Sequence, residues 1–454
     1  MSLPPPSIAE RLNRLPIVRT HRLATLIVGI GVFFDLFDIF LAGVLATVLT
    51  REFELTPVQL QVVVASGFLG MFVGAAGLGA FADRFGRRTA FMINLALYSV
   101  FTFIGACAPN AATLVVSRFV AGIGLGAEPP LCDAYLGELL PARHRGRYTA
   151  LAYTLGFAGV PAMGWLARVL VPLSPFGIAG WRWVFVIGSL GGAIIWVLRH
   201  WLPESPRWLE TAGRYDRAHQ IVSAMEAEAA STVDGERVTS APRFAADSRR
   251  PPRVSFSTLF SPSYRARTLM LWVFQIFQAV GYYGFGTLVP IVLVAKGYSV
   301  VNSLAYTSIV FLGYPLGSAL SIPIVERVDR RWLIVGAAFL MAVFGLGLGA
   351  ARSATLIVPL GLAYTMAANV FSNAFHVFQA EIFPTSVRAT AAGTAYGLSR
   401  LSSAAMPFVL LPLLNNVGSE AAFGAVSVAM LVVMIDIALF APSTTGRGLE
   451  EVAD

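Results

Sequence analysis

The sequence predicts an all-α polytopic membrane protein of twelve transmembrane helices in two six-helix repeats, and three observations carry that prediction. Twelve runs of about twenty apolar residues punctuate the chain, each long enough at about 1.5 Å per residue to cross a hydrocarbon core of roughly 30 Å. Apolar residues are 56% of the total and charged residues 13%, against about 45–50% and about 25% in soluble domains, so such a chain takes lipid as its solvent. Two charged loops also recur at one offset. Asp83-Arg84-Phe85-Gly86-Arg87-Arg88 is matched by Glu326-Arg327-Val328-Asp329-Arg330-Arg331, and Glu138 with Arg145 by Glu381 with Arg388, each pair 243 positions apart. Two loops at a single offset indicate an internal duplication, the pattern of a membrane carrier built from parallel repeats.

Residues 1–22 form a polar, Arg-rich segment in which Ile8, Leu12 and Leu15 fall at helical spacing, which predicts a short interfacial helix. A first six-helix bundle is expected over 23–200, with spans near 23–50, 59–82, 89–108, 112–137, 147–170 and 181–200. The polar stretch 201–265 reads as a linker. It holds the compact run Pro203-Glu204-Ser205-Pro206-Arg207-Trp208-Leu209, an amphipathic helix over 214–230, and a Pro- and Arg-rich portion over 231–253 that reads as mobile. A second bundle follows over 266–441, with spans near 266–292, 302–325, 332–350, 354–380, 388–412 and 420–441, then a tail over 442–454. Glycine and proline inside these runs do not argue against helix, because membrane helices tolerate both.

The net charge of +8 comes almost wholly from arginine, Lys296 being the one lysine. The arginines gather in loops on one side: Arg11, Arg14, Arg19 and Arg22, then the loop arginines of both repeats, then the linker. The opposite loops carry only Arg51, Glu52, Glu54, Arg182, Lys296, Arg352 and Glu420. That asymmetry places both termini and the linker in the cytoplasm and argues against nucleic acid as the partner. Cys107 and Cys132 lie in apolar segments without CxxC spacing and are expected to be buried free thiols. No nucleophile–base set, phosphate loop or metal spacing occurs, so neither an enzyme nor a cofactor is expected.

In the repeated loop the glycines Gly79 and Gly86 let two helices meet in a tight turn. Asp83 or Glu326 is suited to accept from free N–H groups at a neighbouring helix end and to pair with arginine. Contacts of that kind favour one state of a two-state rocker, which makes Gly79, Asp83, Arg84, Gly86, Arg87, Arg88, Glu138 and Arg145 candidate gating residues. Glu326, Arg327, Asp329, Arg330, Glu381 and Arg388 are their counterparts in the second repeat.

The stretch Gly79–Arg88 resembles the loop signature of the major facilitator superfamily. Arg118-Phe119-Val120-Ala121-Gly122-Ile123-Gly124-Leu125-Gly126, with Pro130, Tyr135, Glu138 and Pro141, resembles its fourth-helix signature, and Pro203–Leu209 resembles the motif after helix six in sugar porters and organic-ion transporters. Across nearly its whole length the chain looks most like the metabolite:proton symporters, including the synaptic-vesicle-protein-two-like and organic-ion branches. The position in the second repeat that corresponds to Gly79 is Ile322, a departure that predicts a looser hinge there. The resemblance implies a monomeric carrier of a small-molecule substrate and protons, embedded in a bilayer such as a bacterial inner membrane.

Charges at bilayer depth are costly and therefore point to function. Asp35 sits near mid-membrane on helix one with Asp38 one turn further on, on the same face, and Arg118 on helix four lies near the depth of Asp38. Two close carboxylates repel, so one is expected to hold a proton. Proton-coupled sugar symporters are similar at Asp38, where their aspartate pairs with an arginine matching Arg118, and aromatic-acid symporters show a similar double aspartate. The second repeat places Gln278 and Gly281 at the positions of Asp35 and Asp38, so the coupling groups are expected in the first half. Glu128-Pro129-Pro130 is expected to kink helix four, with Glu128 lining the inner half of the pathway. Arg400, near mid-depth on helix eleven with no acid nearby in sequence, needs an anion, and its planar fork suits a carboxylate. Organic-anion carriers are similar in having an arginine on that helix. Gln275, Gln278, Tyr282 and Tyr283 on helix seven and Phe371, Asn373, Phe375 and His376 on helix ten are candidates to line the same cavity. Proton symport of a small organic anion is the leading expectation. A proton-coupled sugar, polyol or organic-cation carrier, or a drug:proton antiporter (partly suggested by Gly159-Val160-Pro161 with Gly164), remains open, and a non-transporting receptor is a third possibility.

Overall fold

The computed structural model describes residues 7–232, 256–262, 264–325, 327–383 and 385–443. Twelve of its helices are long and apolar enough to cross a membrane: α1 (Arg19–Val44), α2 (Pro57–Leu78), α3 (Arg87–Ala106), α4 (Ala111–Leu139), α5 (Ala142–Leu170), α6 (Gly180–Arg199), α7 (Arg265–Ala295), α8 (Val300–Val325), α9 (Arg330–Ala350), α10 (Ala354–Gln379), α11 (Thr390–Asn416) and α12 (Ser419–Phe440). No strand occurs among the described residues. The outward faces carry exposed apolar side chains such as Val100, Phe103, Val116 and Ile194, surface that lipid covers and water would not tolerate.

Local chemistry starts and stops these helices. Thr56 and Gln59 form a reciprocal capping box ahead of α2, with Pro57 in the first turn. Asn110 accepts from the Thr113 N–H at the start of α4 (2.9 Å), and Ser299 caps α8. At the other kind of terminus, Arg182 donates to the carbonyls of Ala106 (2.8 Å) and Ala108 (2.9 Å), and Lys296 to those of Gly349 (3.0 Å) and Ala351 (2.6 Å). Two of the scattered charges of the sparsely charged end, Arg182 and Lys296, thus cap helix ends.

The duplication reaches the backbone packing. A Cβ on Gly70 would lie 1.9 Å from the Phe119 carbonyl oxygen, and one on Gly74 2.0 Å from that of Ile123, so α2 and α4 cross at backbone contact. Their counterparts 243 positions on repeat the crossing between α8 and α10: Gly313 against the Leu362 carbonyl (2.5 Å) and Gly317 against the Met366 carbonyl (2.3 Å). Between the halves, α1 meets α7, α2 meets α11 and α5 meets α8.

Several expectations change. The helix over Ile8–Arg14 is not an interfacial helix. Ile8 and Leu12 are buried in a cluster with Ala218, Val222 and Met225 of the linker helix Tyr215–Thr232, and Arg11 pairs with Glu226 at 2.6 Å. Protein, not lipid, covers its apolar side. Cys132 is buried but Cys107 is exposed, because it follows the last turn of α3 where the helix stops. α4 runs as one helix through Pro129 and Pro130, as membrane helices can when neighbours satisfy the freed carbonyls. Breaks fall elsewhere: at Leu45 after α1, at Ala158 within α5, at Leu312 within α8, at Met406 within α11, and as a π turn over Val280–Gly284 in α7.

Candidate functional site

The first-half site is built from α1, α3, α4 and α6. Arg118 Nη1 meets Asp38 Oδ2 at 2.6 Å, Arg118 Nη2 donates to the Asp38 carbonyl at 3.0 Å, and Thr102 Oγ1 donates to Asp38 Oδ1 at 3.1 Å. Both charged side chains are buried, so geometry and hydrogen bonds offset the desolvation of each. Gly67 of α2 lies against the Arg118 guanidinium, a Cβ there falling 3.4 Å from Nη2. One turn back on α1, Asp35 is 3% exposed and neither of its oxygens has a partner. Glu128 is not a lining residue of an open pathway here: it is buried in an ion pair with Arg199 of α6 (Oε1 to Nη1, 2.6 Å), and Asn94 of α3 donates to its other oxygen at 3.5 Å. The Arg199 guanidinium lies 3.7 Å from the Phe91 ring centroid. Sequence reading missed Arg199, which sits at the last residue of its span and reads there as a boundary charge.

The second-half site centres on Arg400 of α11, 3% exposed. Its Nη2 donates to the Tyr396 hydroxyl one turn earlier, and its guanidinium carbon stands 4.4 Å from the Tyr396 ring and 4.9 Å from the Tyr283 ring. Nε and Nη1 have no partner, and among the described residues no carboxylate pairs with the group, Asp436 included. Tyr283 reaches it because the π turn displaces this part of α7, a distortion that gathers at functional sites. Tyr396, four residues before Arg400 on one helix face, could have been read from spacing. The amides are internally matched: Gln278 donates to Gln275 (2.9 Å) and Ser399 (3.2 Å), Tyr282 donates to Asn369 (3.2 Å), and Asn373 donates to Ser321 (2.6 Å). Phe371 and Phe375 stack on Phe274 at 5.3 and 4.1 Å and are buried, so both are packing residues in this conformation rather than cavity lining.

The halves close at the end away from the linker. Phe40 of α1 packs among Tyr282, Tyr283, Phe311 and Tyr314, with centroid separations of 5.7–6.4 Å. Toward the linker end, Asp133 and His376 are exposed although both lie inside their spans. Tyr153 joins the two sides, donating to Asp133 at 2.8 Å and stacking on His376 at 6.4 Å. Polar side chains are thus accessible toward the linker end, while aromatics fill the space between the halves beyond Asp38 and Arg400.

At the repeated loops, Arg87 pairs with Glu138 at 3.0 Å, and the counterpart pair Arg330–Glu381 stands at 3.3 Å. Each pair ties two helix ends within one half; neither crosses to the other half. Arg87 and Arg88 offer their backbone N–H groups to Glu204 Oε1 (3.0 and 3.1 Å), so the linker carboxylate caps α3, and burial pushes that carboxyl above its usual range. Gly86 is obligatory: φ is 106°, and a Cβ would fall 2.4 Å from Glu204. Arg88 donates to the His200 carbonyl, and Asp329 caps Arg331 N at 2.9 Å. Arg84 is exposed with its guanidinium 5.4 Å from the Phe85 ring centroid, and Arg145 is partly buried with its Nε unpartnered. Arg327 is exposed. Glu326, the side chains of Asp83 and Arg388, and the surroundings of Gly79 lie outside what is described.

This geometry has relatives. A family profile described as sugar (and other) transporter matches residues 24–454. The chain is 33% identical over 395 residues to a putative metabolite transport protein, YyaJ, of Bacillus subtilis, covering 87% of this chain and 86% of that one. It is 31% identical over 446 residues to the niacin transporter NiaP of Acinetobacter baylyi, covering 98% and 99%. Among solved structures, the partially occluded inward-open conformation of the xylose transporter XylE from E. coli superposes with a TM-score of 0.78 at 21% identity, over 94% of this chain and 99% of that one, a likeness of fold. With twelve spans, a duplicated glycine crossing and these relatives, the chain belongs to the sugar (and other) transporter family of the major facilitator superfamily.

Proposed function

We propose that this transporter carries a small organic anion, an aromatic or other monocarboxylate, in symport with protons by alternating access, with the linker and both termini in the cytoplasm. The observation that carries the reading is Arg400: a buried guanidinium with two unpaired nitrogens, no carboxylate partner among the described residues, and two tyrosine rings beside it. An isolated cation at that depth is expensive, and a substrate carboxylate supplies the missing charge through two parallel hydrogen bonds while the rings hold a flat aromatic body. A relative that bears the name niacin transporter favours the same chemistry, niacin being a pyridine carboxylate. Asp35, Asp38 and Arg118 are the proton-coupling set, and the membrane potential supplies about 2.3 kcal/mol per charge per 100 mV. The sugar reading rests on the amide row of Gln275, Gln278, Asn369 and Asn373, but these groups are already matched to neighbours and offer fewer free donors to hydroxyls.

The test is a thermal-shift and binding measurement on purified protein with nicotinate and benzoate against nicotinamide and benzamide. The acids stabilise the protein and the amides do not. Arg400→Ala removes the effect, since loss of one partner of a buried charged pair costs about 2–5 kcal/mol, and Arg400→Lys weakens it. Stabilisation by sugars or cations alone, or normal acid binding by Arg400→Ala, replaces the anion with a polyol or cation. The orientation has its own check: a membrane-impermeant maleimide reaches the exposed Cys107 from outside intact cells, and protection of Cys107 there inverts the topology.

A further inference from the structure

Counting buried charges in the first half gives, among the described residues, three carboxylates (Asp35, Asp38 and Glu128) and two guanidinium groups (Arg118 and Arg199). The ion pairs divide them without ambiguity. Asp38 takes Arg118 at 2.6 Å and Glu128 takes Arg199 at 2.6 Å, which leaves Asp35 with both oxygens unpartnered at 3% exposure. An unpaired ionised carboxylate in that setting is far more costly than the neutral acid.

From this distribution we infer that Asp35, not the arginine-paired Asp38, holds the transported proton, and that Arg199 is the positioning cation that receives Asp35 when the proton leaves. The inference rests on the proton-coupled reading above and says which atoms serve it. Arg199 is placed for the task by Gly31, one turn before Asp35 on the same face of α1: a Cβ at Gly31 would lie 2.6 Å from Arg199 Nη2. The guanidinium also has capacity to spare. Nη1 is engaged by Glu128 at 2.6 Å, but Nε has no partner and Nη2 has only the Cys132 sulfur at 3.9 Å. The step is a proton transfer from an Asp35 oxygen, sealed from solvent in this conformation, to water admitted when the site opens, the electron pair staying on the carboxylate. The new charge is then shared with Arg199, whose hold on Glu128 loosens to match. The charged and titratable groups around Asp35 are Asp38 on α1, Glu128, Arg118 and Cys132 on α4, Arg199 on α6 and the Tyr98 hydroxyl on α3, which donates to the Phe34 and Gly188 carbonyls. From α5, Ala152, Leu155, Gly156 and Gly159 pack against α1 near this level.

Infrared difference spectroscopy on the purified, substrate-free protein tests the assignment. In an Asp436→Asn background, which removes the other unpaired buried carboxyl, the carbonyl stretch of a protonated carboxylic acid is present near neutral pH, disappears on adding Asp35→Asn, and persists on adding Asp38→Asn or Glu128→Gln. Thermal melting is the second readout: Asp35→Asn, a neutral side chain replacing a neutral one, melts like the wild type, whereas Asp38→Asn and Glu128→Gln, which each strand a buried arginine, melt lower. In vesicles, Asp35→Asn loses accumulation driven by a pH gradient and keeps substrate exchange. No band in the Asp436→Asn background, a band there that survives Asp35→Asn, or an Asp35→Asn protein that fails to fold overturns the inference. A band assigned to Asp35 together with uptake that ignores the pH gradient instead overturns the coupled reading and leaves the protonation assignment standing.

Discussion

Gly70→Ala is the sharpest probe of how the backbone crossing of α2 and α4 sets the charged interior. The added methyl carbon would sit 1.9 Å from the Phe119 carbonyl oxygen and 3.1 Å from Gly122 Cα, and a real Cβ essentially never lies under 3.0 Å from such an atom. The obstacle is backbone, which cannot rotate away, so the helices must part by about 1.1 Å (3.0 − 1.9). Phe119 adjoins Arg118. If that displacement is passed on in full, the Arg118–Asp38 contact lengthens from 2.6 to about 3.7 Å, beyond hydrogen-bond length. Overpacking of this kind costs about 1–3 kcal/mol, and opening a buried ion pair raises the loss toward about 3–5 kcal/mol. The assay is thermal melting in detergent beside pH-driven uptake in vesicles, with two controls. Gly77→Ala on the same helix has open space around it and is neutral or slightly stabilising by up to about 1 kcal/mol. Gly313→Ala, the counterpart in the second repeat, meets the Thr365 hydroxyl and the Leu362 carbonyl and lowers the melting temperature without reaching Asp38. A Gly70→Ala protein that melts and transports like the wild type would refute the claim that this crossing positions Arg118.

Two further outcomes follow from the linker end. Glu204→Gln removes the charge that accepts the Arg87 and Arg88 N–H groups; the loss of such a cap costs about 1 kcal/mol and speeds hydrogen exchange at the first turn of α3, and unchanged protection there would discount the cap. Arg11 holds the Glu226 carboxyl below its usual range chiefly by its hydrogen bond, so the docking energy is present above the unfolded Glu value of about 4.3 and is lost as pH falls through the lowered folded value. With Glu226 41% exposed, solvent screening limits this to under about 1 kcal/mol. Protection of the Ile8–Arg14 amides drops on acidification through that window, and a pH-independent protection would show that burial of Ile8 and Leu12 alone holds the segment.

Much was legible in one dimension. Hydropathy is a local property, so twelve apolar runs and the charged loops between them determined the number of spans, and the offset of 243 residues determined that Arg87–Glu138 and Arg330–Glu381 would be equivalent. Buried charge is also visible without a structure, because an aspartate or arginine amid apolar residues stands out wherever the chain goes. What tertiary structure alone decided was which charge meets which. Asp35 and Asp38 share one helix face and looked like a pair, yet the rotation of α1 against α4 and α6 gave Arg118 to Asp38, Arg199 to Glu128 and no partner to Asp35. Arg199 escaped notice because a charge at the last residue of a span is indistinguishable from topology until α6 is packed against Phe91 and Gly31. Ion pairing depends on side-chain distances of about 3 Å between helices tens of residues apart, and no periodicity along the chain carries that information. The same holds for Phe40, one apolar residue among many on α1, which becomes the plug between the halves only when α7 and α8 bring four aromatic rings around it.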